Sequence, residues 1–210
     1  MTATRDDLQD LTTAARVDLA DDLAALTDAQ WAAPSLCAGW TVEDTVAHLT
    51  SAASMTPFRW IRSMLGAGFR PDVHNRRRIA EHRGATPAET LARFRAAAGS
   101  TRAPSGHTAA WLGEVVVHGQ DIRRPLGLAR VPSIEASTAV AEFFVSRNFA
   151  VNSRTVADGL RLDAADGPFT SGDGPLVRGT TEAIVMVLAG RAAYLDDLTG
   201  DGVATLRERI

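Results

Sequence analysis

The chain has 210 residues, 45% of them hydrophobic, with a formal net charge of -3 and a pI near 5.9. That length carries one domain, or one domain with a small appendage, and either buries a substantial core. The balanced charge gives no field for steering nucleic acid or docking on an anionic membrane, no apolar run approaches the ~20 residues of a bilayer span, and a single cysteine excludes internal disulfides and cysteine-based zinc clusters.

The polar, acidic start from Met1 to Asp7 is unlike a signal peptide, so a cytoplasmic protein is expected. From Arg5 to Leu26, the residues Leu8, Leu11, Ala15, Leu19, Leu23 and Leu26 recur at spacings of three and four, which predicts an amphipathic helix. Thr27 and Gln30 fit a capping box for a short turn bearing Trp31. Leu36 to Trp40 is a loop with an aromatic anchor. Its Cys37 has no flanking pattern that activates it and reads as a small buried residue. Thr41 and Asp44 then start a second helix, on which His48 borders the apolar stripe of Val42, Val46, Leu49 and Ala53.

Thr56 and Pro57 begin a helical segment through Phe58, Ile61 and Leu65. The Arg-rich stretch from Pro71 to Gly84 reads as a solvated helix, and Thr86-Pro87-Ala88-Glu89 combines three start signals for the next one. A long helix is expected from Ala109 to Arg124, stopped by Pro125-Leu126-Gly127. Another runs from Ile134 to Phe149 with Val140, Phe143, Phe144 and Phe149 inward. These helices predict a bundle over residues 1–150. Beyond it, Leu160 to Ala164 and Pro175 to Arg178 alternate around a Gly-rich stretch, which predicts a small hairpin, followed by a helix from Glu182 to Leu198 and a last turn from Val203. The expected fold is therefore mainly α, with a small α+β appendage over residues 151–210.

The chemistry concentrates between Gly113 and Asp121. At about 100° per helical residue, Glu114 and His118 share one face and Asp121 falls near the same stripe. Val115, Val116 and Val117 lie between them, so this turn is expected to be buried, and buried ionisable groups need partners. The spacing suits an ion pair as well as half of a metal site, and a metal site needs a third ligand from elsewhere.

The stretch from Trp31 to Asp44, the following Ala47-His48-Leu49, and Gly113-Glu114 with Val117-His118-Gly119-Gln120-Asp121-Ile122 together resemble the mycothiol-dependent maleylpyruvate isomerase family, a branch of the DinB-like metal-binding bundles. The tail from Gly172 to Gly202 is similar to that of uncharacterised members. The resemblance implies a DinB-like four-helix bundle and a divalent cation, usually zinc, held by His48, Glu114 and His118. It further implies that mycothiol, bound to the metal as a thiolate, attacks a small electrophile, isomerising maleylpyruvate or acting as an S-transferase on other substrates. Asp121 is then a partner that orients a ligand, and Arg191 is a candidate anion-binding residue. These two are the candidates for a catalytic role. The resemblance also implies a C-terminal segment shorter than that of the characterised isomerase.

Two alternatives are a non-catalytic metal-binding module and a regulatory interaction protein. The expected oligomeric state is a monomer or homodimer. All 22 basic residues are arginine and alanine is abundant, the mark of a GC-rich genome of actinobacterial type.

Overall fold

The computed structural model describes residues 3–210, so Met1 and Thr2 of the polar start lie outside the described residues. The chain forms two compact units, one ending at Arg130 and the other spanning Val131–Ile210.

The first unit contains α1 (Arg5–Ala24), α2 (Asp28–Trp31), α3 (Val42–Ser54), α4 (Pro57–Gly66), α5 (Pro71–His82), α6 (Pro87–Ala97) and α7 (Thr108–Leu126). Helices α1, α2 and α3 each open with a reciprocal capping box, led by Thr4, Thr27 and Thr41, and each cap contributes about 1 kcal/mol. Four helices form the bundle. Helix α1 packs on α7, α7 on α3, α3 on α6, and α6 back on α1, which closes a ring. Inside it lie Leu19, Leu23, Val42, Val46, Phe94, Leu112 and Ile122, none more than 1% exposed, each contributing roughly 1.5–3 kcal/mol by burial. This is a four-helix bundle, as the sequence periodicity predicts.

Polar clamps fix the register of α1 against α7. Arg123 Nε donates to Asp22 Oδ2 at 2.8 Å, and Arg130 Nε donates to Asp22 Oδ1 at 2.9 Å. Helix α7 ends at Gly127, whose φ of 66° is left-handed, with Pro125 in its last turn. Helix α5 is less solvated than its arginines suggest, because it packs on α3 and buries His74 and Ile79.

The second unit contains α8 (Ile134–Ser146), α9 (Ser153–Ala157), β1 (Arg161–Ala164), β2 (Thr170–Ser171), β3 (Leu176–Gly179), α10 (Thr181–Leu188), a 3-10 turn over Ala192–Asp197 and α11 (Val203–Arg209). Helix α8 packs on α10, so by contacts it groups with the C-terminal elements and the division falls after Arg130 rather than at residue 150. Val140 and Phe144 face inward as expected. Phe149 does not: the helix stops at Ser146 and the ring is 49% exposed.

The sheet order is β2-β1-β3. A hairpin is present as antiparallel β1–β2, with β2 inside the Gly-rich stretch. The segment expected to be its second strand, β3, instead runs parallel to β1, with Leu162 opposite Val177. The chain turns back through Gly172, at φ 71°, where a Cβ would lie 2.2 Å from the Leu160 carbonyl oxygen. The long helix expected from Glu182 to Leu198 is also interrupted: α10 ends at Leu188, and Gly190 at φ 83° starts the 3-10 turn. Among the described residues no helix is long and apolar enough to cross a membrane.

Candidate metal centre

Helix α7 is buried around nearly its whole circumference. From Trp111 to Arg123, only Glu114 and His118 are not fully buried. On α3 the half-buried positions Asp44, His48 and Ala52 recur every four residues and define one stripe. The two helices pack together and bring His48 to the pair on α7.

His48 Nε2 lies 3.3 Å from Glu114 Oε2, which in turn lies 3.5 Å from His118 Nε2. One ligand atom from each of the three side chains lies within 4.8 Å of the other two. The side chains are 16%, 34% and 14% exposed for His48, Glu114 and His118, so the trio is sheltered yet open on the Glu114 side.

The second nitrogen of His118 has its own partner. Nδ1 donates to Asp121 Oδ2 at 2.9 Å, and the Asp121 side chain has no exposed surface. Burial pushes the His118 imidazole toward the neutral form. The hydrogen bond to Asp121, the contact with Cys37 and the charge of Glu114 outweigh burial and raise its pKa to about 10. With the Nδ1 proton held by Asp121, Nε2 is the ring nitrogen that faces Glu114 and could serve as a ligand.

The loop before α3 closes one side of the site. Its Leu36 amide donates to the Asp121 carbonyl oxygen at 2.9 Å, and the Cys37 amide donates to Ser35 Oγ at 3.1 Å. The Trp40 ring lies 4.9 Å from that of His48 and 6.2 Å from that of His118 between centroids. Cys37 is half-buried, and its Sγ donates to Asp121 Oδ2 at 3.1 Å and sits 3.3 Å from His118 Nδ1. The sequence reading misses these contacts because they link residues 81 and 84 positions apart, with no local signature.

Asp44 is committed elsewhere, completing the Thr41 capping box and accepting from Arg83 Nη1 at 3.1 Å. Arg191 belongs to the second unit, where its guanidinium donates to the Ala189 carbonyl at 2.6 Å in the turn after α10. Trp111 is a core residue whose Nε1 donates to the Ser105 carbonyl at 3.0 Å.

Residues 12–104 match the family described as the mycothiol maleylpyruvate isomerase N-terminal domain. The match covers a little under half of the chain. The matched segment includes Cys37, Trp40 and His48, whereas Glu114 and His118 lie beyond it. The whole chain is similar to the crystal structure of the mycothiol-dependent maleylpyruvate isomerase, with a TM-score of 0.61 at 19% identity, and to a histidine-to-alanine mutant of that isomerase, with 0.59 at 17%. Each likeness covers 96% of this chain and 95% of the other, and at such identity it is a likeness of fold. The matching spans overturn the expectation of a shortened C-terminal segment. No curated protein sequence matches the chain.

Proposed function

We propose that His48, Glu114 and His118 hold a divalent cation, zinc foremost, and that the chain is a thiol-dependent enzyme of the maleylpyruvate isomerase type acting on a small electrophile. The observation that carries this reading is the convergence of two imidazole nitrogens and one carboxylate oxygen, from two different helices, at the half-buried stripe of a helix that is otherwise buried from Trp111 to Arg123. Two histidines and a glutamate form a donor set used by catalytic zinc, which leaves a coordination position free for another group. The separations of 3.3 and 3.5 Å suit ligands sharing one small cation.

When bound, such a cation supplies an open position and a positive charge that keeps a low-molecular-weight thiol, here mycothiol, in its thiolate form near neutral pH. The protein's own groups prepare that position. Asp121 holds the Nδ1 proton of His118 and so aims Nε2 at the trio. Trp40 packs its ring against that of His48 and lies near that of His118. Glu114, the most exposed of the three, marks the side from which thiol and electrophile arrive.

Thiol addition to a cis double bond permits rotation, and elimination returns the thiol with the trans isomer. Retention of the adduct makes the same protein an S-transferase. The reading carries with it a cytoplasmic location and a monomer or homodimer. It is tested by following maleylpyruvate by NMR with and without mycothiol. Thiol-dependent conversion that disappears in His118→Ala supports an enzyme. A metal-loaded protein inert toward maleylpyruvate and a panel of thiol-reactive electrophiles is instead a non-catalytic metal-binding module.

A further inference from the structure

The imidazole of His118 has a second cluster on its other side, and that cluster has the composition of a soft-metal site. Cys37 Sγ, His118 Nδ1 and Asp121 Oδ2 are separated by 2.9, 3.1 and 3.3 Å. Two of the three are donors converging on one carboxylate oxygen: the thiol and the Nδ1–H both point at Asp121 Oδ2. Removing those two protons leaves a thiolate, an imidazole lone pair and a carboxylate within 3.3 Å of one another, and small side-chain rotations turn them toward a shared cation.

We propose that Cys37, His118 and Asp121 form a second cation site, selective for thiophilic d10 cations such as Cd2+ or Cu+, whose consequence for the first trio rests on the function proposed above. Bonds of about 2.0–2.3 Å at tetrahedral angles separate ligand atoms by about 3.3–3.6 Å, so a zinc-sized cation requires each contact to open by about 0.2–0.5 Å, and the larger Cd2+ requires somewhat more. The cysteine thiolate sets the selectivity. The first trio offers only nitrogen and oxygen, whereas this one adds sulfur, the ligand that soft cations favour. Asp121 lies wholly inside the protein and is anchored by the Leu36 amide on its own carbonyl, so the site is held between the loop and α7 rather than formed by one mobile side chain.

The two clusters share one ring. A neutral imidazole carries a single lone pair, so a cation at Nδ1 moves the remaining ring proton to Nε2, where it faces Glu114. A thiophilic cation therefore removes His118 from the first trio, and the second site acts as the point at which soft metals disable the first.

The test uses metal-free His48→Ala protein, in which the first trio is one ligand short. Cd2+ is added while the ultraviolet charge-transfer band of a cadmium–thiolate bond is recorded. Cys37 is the only cysteine, so any such band reports on it alone. The expected result is a band saturating at about one Cd2+ per chain, absent when Cys37→Ser is added and weakened about 10-fold or more in midpoint when Asp121→Asn is added. Circular dichroism confirms that each variant is folded. No band in the folded His48→Ala protein overturns the proposal, and so does an unchanged midpoint in the Asp121→Asn background, which reduces Cys37 to a solitary thiol. The function proposed above fails differently, through zinc that is absent from the wild type or retained in a His48→Ala, Cys37→Ser double variant, in which both clusters lack a ligand.

Discussion

Asp121→Asn isolates what the carboxylate does for the proposed metal centre. The two side chains have nearly the same shape, so the change leaves no cavity and removes only a charge and one acceptor oxygen. In the native protein the His118 Nδ1–H donates to Asp121 at 2.9 Å, and the carboxylate is wholly buried, so no water can take its place. A bond of this charge-assisted kind fixes the imidazole's orientation and raises the basicity of Nε2. Its loss is expected to weaken zinc binding by about 10–100-fold, or about 1.4–2.7 kcal/mol. Competition with a chromophoric chelator measures this directly, with the far-ultraviolet spectrum as a control for folding. A dissociation constant within about threefold of wild type would mean that Asp121 does not orient a ligand, and the relay from carboxylate to imidazole to cation would have to be abandoned.

Other consequences are more local. Phe94 is completely buried in the bundle, and Phe94→Ala is expected to cost about 3–5 kcal/mol in urea denaturation with little change in the slope. Thr41→Ala removes the hydroxyl that caps α3 and should cost about 1 kcal/mol, with a smaller loss in Thr41→Ser. His74 and His82 are held below the ordinary imidazole value of 6.5, first by burial, with Arg78 adding to the effect in both. Unfolding lets both take up protons, so stability is intact above the unfolded value of about 6.5 and falls as the pH drops below it. His118, held up at about 10, acts in the opposite sense down to about pH 6.5, so urea midpoints at about pH 6.5 and about pH 5 read out these two histidines, and His74→Gln should reduce the difference.

Much of the bundle was legible because its signals are local. The Thr41–Asp44 box starts α3 where expected, and Thr86 followed by Pro87 starts α6. The i, i+4 pair Glu114 and His118 falls on the open stripe of a buried helix, as helical periodicity requires. The appendage was harder to read because its strand pairing is not local: the spacing of β1 and β3 suggests a hairpin, but β2 takes the antiparallel edge and leaves β3 the parallel one. Gly190, unremarkable within an apolar periodic run, ends α10 through a left-handed φ that no hydrophobic pattern encodes. The reach of Cys37 to Asp121 and His118 depends on a loop docking against α7 from 84 positions away, so only the folded chain reveals it.

The most direct measurement is the metal content of the purified protein by elemental mass spectrometry, for the wild type and for His48→Ala, Glu114→Gln and His118→Ala after the same zinc loading and dialysis. About one zinc per chain in the wild type and a substoichiometric amount in each folded variant are predicted, because each removes one of three converging donors. Zinc retained at wild-type stoichiometry and affinity in any of the three, or absent from the folded wild type, would contradict the assignment and leave Glu114 and the two histidines as a hydrogen-bonded cluster in the wall of the bundle.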